Sequence, residues 1–219
     1  MTEMPQPPVA TEPALEFLVA RTEGLQPWRR IFHAVSGLMV VFVPFLAGWS
    51  RETTLLMLTI ALFVGLALDV VRLRTTWVNR VFFRFLSALA SPREARGLAS
   101  STWYALGALV AFAVYPPPIA GGAIILLALA DPAAGVVGRL YGRRRFGKGT
   151  VEGTTAFWIV GSAVLVPLVG WPHAVAASAA AALAEIAPGL VDDNLVIPVV
   201  AGAVLWLGGA TPSVTGFPF

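Results

Sequence analysis

The chain has 219 residues, 57% of them hydrophobic and only 12% charged, with a mean hydropathy of +0.78. A soluble domain carries roughly 25% charged residues, so the composition excludes an ordinary soluble protein and predicts an all-α, polytopic membrane bundle built as one domain. The absence of cysteine excludes a disulfide framework and a thiolate metal site, and a net charge of +3 gives no basis for a nucleic-acid partner.

Residues 1–13 are polar and Pro-rich. They lack the basic-then-apolar pattern of a signal peptide and read as a disordered tail. Residues 14–27 read as a short interfacial helix ending near Gly24 and Pro27. From residue 28 to 219 a single transmembrane domain is expected. Its seven apolar spans fall at roughly 30–49, 53–71, 100–115, 118–138, 154–170, 173–188 and 194–209. The sixth is Ala-rich and the least hydrophobic. Between the second and third, T-W-V-N-R-V-F-F-R-F-L-S-A-L puts Arg80 and Arg84 on one helical face and most aromatics on another. That pattern predicts an amphipathic helix lying in the membrane interface. A cytoplasmic N-terminus places fourteen of the fifteen basic residues inside and leaves only Arg51 outside. The reading is a multi-pass protein of the cell membrane, with short exterior loops and any active site facing the cytoplasm.

The polar residues gather at the cytoplasmic ends of the spans. Arg29, Arg30, His33 and Ser36 open the first; Asp69, Arg72 and Arg74 close the second; Ser100, Ser101 and Thr102 open the third. Glu185 ends the sixth, and Asp192, Asp193 and Asn194 precede the seventh. Spans four and five are joined by residues 129–153, L-A-D-P-A-A-G-V-V-G-R-L-Y-G-R-R-R-F-G-K-G-T-V-E-G. Within it Asp131 sits about 12 Å inside the span at helical rise. A carboxylate there is costly and marks function by default. Asp131, Gly135, Gly138 and Gly142 share one helical stripe, so the acid faces a surface without side chains. Arg139, Arg143, Arg144, Arg145 and Lys148 follow, then Thr150 and Glu152 at the start of the next span. Carboxylates that hold a divalent cation, beside cations that hold phosphates, are the equipment of phosphoryl transfer.

Blander readings compete. Asp131 can simply pair with a basic residue between helices, and the arginine run can fix topology or touch anionic lipid. Thr150 fits an N-cap and Glu152 a first-turn acid meeting the helix dipole. Asp69, Arg72 and Arg74 fit an interfacial salt-bridge group, and Asn194 a cap on the last span. Residues 142–148, G-R-R-R-F-G-K, match the start of a Walker A loop, but Gly149 stands where Ser or Thr is needed and a membrane helix, not a strand, comes before. The local logic of a Gly-rich basic loop entering a helix N-terminus is still that of a phosphate site.

The run A-D-P-A-A-G-V-V-G-R-L-Y-G-R-R-R-F-G-K-G-T-V-E-G resembles the signature of the CTP-dependent lipid kinases, the group of dolichol kinase, phytol kinase and CTP-dependent diacylglycerol kinase. R-R-I-F-H-A-V-S-G resembles the family's opening segment, S-S-T-W-Y-A-L-G its third-span segment, and Glu185 with D-D-N-L-V-I-P its closing element. The four elements occur in the family's order from Arg29 to Pro198. Ala130 stands where the family often has Gly, and Gly149 replaces the second lysine of its K-K-S/T element, leaving Lys148 as the sole lysine. The resemblance implies a kinase that moves the γ-phosphate of CTP, with Mg2+ or another divalent cation, onto the hydroxyl of a lipid alcohol. It casts Asp131, Lys148 and Glu152 as catalytic, and Asp131, Glu152 and Asp193 as metal ligands. It casts Arg139, Arg143, Arg144, Lys148, Thr150, Gly135, Gly138, Gly142 and Asn194 as nucleotide-binding. Arg30, His33, Asp69, Thr102 and Glu185 are candidates around the lipid. The partners implied are a nucleoside triphosphate, a lipid alcohol and the surrounding membrane lipids.

Polyprenol, phytol-like alcohol and diacylglycerol each present one hydroxyl to the same interface, so all three stay open. A cytidylyltransferase acting on a phosphorylated lipid would use similar groups and release pyrophosphate. A transporter or scaffold would use Asp131 as a coupling-ion site, but spans five to seven carry little polarity on their outer halves.

Overall fold

The structure, a computed structural model, describes residues 15–187 and 191–211. The tail expected over 1–13 and the last residue of the sixth expected span lie outside the described residues. Among the latter the order is α1 (Leu15–Ala20), α2 (Pro27–Leu46), α3 (Arg51–Arg74), α4 (Thr76–Leu86), a 3-10 turn (Pro92–Ala95), α5 (Ser100–Val114) and α6 (Pro117–Tyr141). A small hairpin follows, β1 (Arg145–Phe146) and β2 (Gly149–Thr150), then α7 (Val151–Val169), α8 (Trp171–Ile186) and α9 (Asp193–Leu207).

Helix starts follow local chemistry. Proline opens α2 and α6, where its missing N–H costs nothing and its φ is already helical. Ser50, Thr150 and Asp192 cap α3, α7 and α9, each side chain accepting from a backbone amide two or three residues on. The interfacial segment is shorter than the sequence suggests, since α1 stops at Ala20; it docks through Leu18 onto Phe83 of α4 and Ala90.

The centre is α6. It is apolar on all sides, and every residue from Ile119 to Ala128 is buried, as expected of a helix surrounded by others. Close approach to its neighbours depends on small residues. A Cβ on Gly161 of α7 would press on Ser178 of α8, and one on Gly107 of α5 would strike the carbonyl of Asn194 on α9. The Ala-rich composition of α8 has the same cause: Ala174, Ala177, Ala181 and Ala182 are buried against the bundle.

The seven expected spans correspond to seven helices at the expected places. Four of them, α2, α3, α6 and α7, are long and apolar enough to cross a membrane by length and composition. The apolar α5 and α9 have 15 residues each, about 22 Å of helix against a hydrocarbon core of about 30 Å. On α3 an outward row of Leu56, Ile60, Phe63, Val64 and Leu68 is exposed, a surface suited to lipid rather than water.

The helices alternate in direction and bring the polar clusters to one end of the bundle. Arg29 at the start of α2 reaches Ser100 at the start of α5, and Arg30 reaches Pro132 near the end of α6. Lys148 of the hairpin meets Ile186 at the end of α8, and Asn194 at the start of α9 meets Ser100.

Candidate active site

The basic stretch after α6 is not an open loop. Arg145 pairs with Thr150 and Phe146 with Gly149, leaving Gly147 and Lys148 as a two-residue turn. Gly147 has φ +57° and is the first turn residue, where a tight hairpin needs a glycine. A side chain there would also strike the carbonyl of Ile186. The Lys148 amide donates to that same carbonyl at 3.0 Å. The hairpin is therefore pinned by its tip to the end of α8.

Beneath it lies a cleft of about 550 Å³ between α6, the hairpin and the start of α7, within the range of small-molecule sites, roughly 300–1,000 Å³. Its cations are Arg30, Arg139, Arg143, Arg145 and Lys148; Glu185 is its acid. Gly135, Gly138, Gly142, Gly149, Gly153 and Thr150 complete much of the wall. The glycines have distinct tasks. Gly135 leaves room for the Arg30 guanidinium, which a Cβ there would strike. Arg30 is held in place by donating from Nε to the Leu25 carbonyl at 2.9 Å and from Nη1 to the Pro132 carbonyl at 3.2 Å. Gly138 lets the start of α7 approach, a Cβ there lying 3.0 Å from Thr150 Oγ1.

The amides at the start of α7 are largely in use. Val151 N donates to the Arg144 carbonyl at 3.0 Å, and Gly153 N to Thr150 Oγ1 at 3.1 Å. The cleft thus attracts anions through its side-chain cations more than through the helix N-terminus.

A group of acids adjoins the cleft. Glu185 feels the charges of Asp131, Asp193 and Lys148. Asp131 itself is a third exposed and lies 3.7 Å from His33 Nε2, whose ring is also 3.4 Å from the Leu127 carbonyl. Tyr104 stacks edge-on against His33 with ring centroids 5.0 Å apart, and its buried hydroxyl has no hydrogen-bond partner among the described residues. Lys148 Nζ donates to Asp193 Oδ1 at 2.6 Å, joining the hairpin to α9.

Of the residues singled out from sequence, Arg30, Gly135, Gly138, Arg139, Gly142, Arg143, Lys148, Thr150 and Glu185 line the cleft. Others stand elsewhere. Arg144 does not line it, and its amide donates to Glu152 Oε2 at 3.5 Å. Asn194 is buried, with Nδ2 donating to Asp192 Oδ1 at 2.7 Å and to the Ser100 carbonyl at 3.4 Å. Asp69 and Thr102 belong to a separate buried network. Asp69 accepts from Arg72 Nε at 2.7 Å, from Thr102 Oγ1 at 2.8 Å and from Ala99 N at 2.9 Å. Arg72 also donates to Asn79 Oδ1 and to the carbonyls of Glu94 and Gly97. Both side chains are 3% exposed and each of their nitrogens and carboxylate oxygens is hydrogen-bonded, so they tie α3, α4 and the 91–99 segment to α5.

Arg145, Gly149, Gly153 and Thr154 line the cleft without having been marked as site residues from sequence. The missed signal is F-G-K-G, a Gly-X turn flanked by short extended segments. In such a strand alternate side chains face opposite sides, which sends Arg145 into the cleft and Phe146 away; Arg143 also lines the cleft, and Arg144, at the bend before the strand, does not.

Among the described residues no group of three or more His, Asp or Glu side chains could by itself hold a metal ion. The expected trio of Asp131, Glu152 and Asp193 is therefore not assembled as a cage. Mg2+ commonly takes only one or two carboxylates and draws its remaining ligands from substrate phosphates and water. Asp131 and Asp193, which interact electrostatically, fit that looser pattern; Glu152, turned toward Arg144, does not share it.

The chain is similar to CTP-dependent diacylglycerol kinase 1 of Saccharomyces cerevisiae, at 27% identity over 114 residues, 52% of this chain and 39% of the relative. It is also similar to CTP-dependent diacylglycerol kinase 1 of Eremothecium gossypii, at 30% identity over 140 residues, 61% of this chain and 43% of the relative. The matches thus span about two-fifths of the length of these curated relatives. No family model matches the chain, and no solved structure matches it. The two relatives support the CTP-dependent lipid kinase family, and their names carry diacylglycerol, with no support for polyprenol or phytol.

Proposed function

We propose that this chain is a membrane kinase that transfers the γ-phosphate of CTP to the hydroxyl of a lipid alcohol of the diacylglycerol type, at a polar end of the bundle facing the cytoplasm. The observation that carries the reading is the cleft itself: five cations and a floor of glycines beside interacting acids, at the membrane end of α6.

In this reading the triphosphate lies in the cleft. Arg30, Arg139, Arg143, Arg145 and Lys148 neutralise it, and the glycines allow its oxygens close to the backbone. Preorganised cations of this kind stabilise the charge that develops on phosphoryl oxygens and on the departing diphosphate. The lipid hydroxyl oxygen attacks the γ-phosphorus, the bond from that phosphorus to the β-bridging oxygen breaks, and CDP leaves. Asp131 accepts the hydroxyl proton, and His33 holds its carboxylate in place. A divalent cation, held by Asp131, Asp193 and the phosphates, would supply further charge neutralisation. Lys148, paired with Asp193 in the structure, turns to the phosphates when nucleotide occupies the cleft.

The test is the purified protein with CTP, ATP, GTP or UTP, labelled at the γ-phosphate, against a panel of lipid alcohols. Label should pass to diacylglycerol from CTP, with CDP formed in equal amount. With a phosphorylated lipid as acceptor, release of labelled pyrophosphate and transfer of a CMP group to that lipid would replace the kinase by a cytidylyltransferase, and no nucleotide-dependent product with either acceptor would remove both.

A further inference from the structure

A second hollow, of about 360 Å³, runs along the outer side of α7 and α8. Its walls are Phe146 of the hairpin, Val151 and Trp158 of α7, and Leu183 of α8, all exposed; Ala179 and Ala182 form its floor. Its few polar atoms are already engaged. Thr154 and Thr155 turn their hydroxyls back to the carbonyls of Thr150 and Val151, at 3.0 and 2.8 Å, and so leave their methyl groups outward. Trp158 Nε1 donates to the Val175 carbonyl at 3.3 Å, leaving the ring face as a flat hydrocarbon wall. Every side-chain donor of this hollow is therefore already paired. It lies on one of the helices long and apolar enough to cross a membrane.

Its position gives it a purpose. Thr154 lines both this hollow and the cationic cleft. The hairpin separates the two by strand alternation, with Arg145 on the cleft side and Phe146 on the apolar side. We propose that the α7–α8 groove seats a hydrocarbon chain of the acceptor lipid, so that the lipid's hydroxyl passes Thr154 into the cleft. This rests on the kinase reading for the identity of the lipid. Phe146 and Trp158 form the two side walls, and the alanine floor fixes how thick a chain can enter. The small side chains of Ala179 and Ala182 set the depth to which a chain can settle, which makes these positions determinants of acceptor choice.

The experiment uses the full chain in mixed micelles with a diacylglycerol bearing a diazirine midway along one acyl chain, irradiated and mapped by mass spectrometry. Adducts are expected at Phe146, Trp158 or Leu183, suppressed by unlabelled diacylglycerol but not by phosphatidylcholine. Adducts elsewhere, or equal suppression by phosphatidylcholine, overturn the proposal, the second outcome marking the groove as a site for bulk lipid. Mapping needs no turnover, so specific adducts without phosphoryl transfer keep the groove and remove the kinase reading, and transfer with adducts elsewhere does the reverse. Ala179→Leu fills the floor and should raise the KM for a long-chain diacylglycerol about tenfold or more, with the KM for CTP unchanged. Trp158→Ala, which removes a wall without adding bulk, should abolish the adduct at that position and weaken competition. Unchanged lipid KM in folded Ala179→Leu protein, or undiminished competition in Trp158→Ala, would sink the assignment.

Discussion

Asp131→Asn separates a catalytic acid from a structural one. The substitution keeps size and most hydrogen bonding and removes one negative charge. The carboxylate's nearest basic group is His33, at 3.7 Å, and the Asp131 side chain is 33% exposed. A pair that open contributes about 0–1 kcal/mol. Beyond this pair, Glu185 and Asp193 feel the Asp131 charge as repulsion and Arg30 feels it as attraction, so its removal acts in both directions. The net change in stability should stay under about 1 kcal/mol, or about 2–4 °C in Tm. Losing a proton acceptor from phosphoryl transfer should lower turnover by about two to four orders of magnitude. The assay pairs thermal unfolding, followed by tryptophan fluorescence, with γ-phosphate transfer per folded molecule. A folded Asn variant with most of its turnover would move the role to Glu185 and Asp193. A large fall in Tm with normal turnover in the surviving fraction would make Asp131 a structural partner.

Asp69→Ala should behave in the opposite way, because it leaves the Arg72 guanidinium buried without its carboxylate; a loss of about 3–5 kcal/mol in stability is expected, and unchanged Tm would refute the latch. Arg145→Ala should raise the KM for CTP about tenfold or more through a lost charge-assisted contact, whereas Arg144→Ala should leave it within about twofold; equal effects would show that lining the cleft does not sort the arginines. Gly147→Ala puts a side chain at φ +57° and against the Ile186 carbonyl, so the hairpin should leave α8, seen as faster proteolysis after Arg145 and a raised KM for CTP at near-native Tm. Wild-type proteolysis and kinetics in that variant would mean the tip contact is dispensable.

Helix number and order were legible because hydrophobic runs bounded by Pro, Gly and charged residues leave few ways to fold in a bilayer. Span count was less so. Ser100–Val114 and Asp193–Leu207 are apolar but short, and hydropathy reports composition more reliably than reach. The Ala-rich α8 looked weak as a span because its sequence serves close packing against α7 rather than contact with lipid. The sequence set Asp131, well inside its span, apart from Asp69, which stands beside arginines near the end of α3. The structure adds the tertiary difference: three donors converge on Asp69, whereas among the described residues Asp131 has an imidazole at 3.7 Å and feels the charge of Arg30.

The largest gap concerns the turn at Gly147 and Lys148. Residues 143–146 read as a charge run, and a charge run has no intrinsic direction. Pairing with residues 149–150 gives it one, and a shift of a single residue would reverse which side chains face the cleft. Two constraints hold that register. Gly147 must occupy the turn position that requires positive φ, and it must also lie against Ile186 where no side chain fits. With the tip fixed, Arg145 enters the cleft and Phe146 faces the apolar groove. The replacement of a second lysine by Gly149 fits the same geometry. Gly149 pairs with Phe146 inside the hairpin and its position lies within van der Waals reach of Ile186, so a long cation there would compete with the packing that aims Arg145. The cleft gains a further cation from Arg30 across the Gly135 gap, a residue more than a hundred positions earlier in the chain.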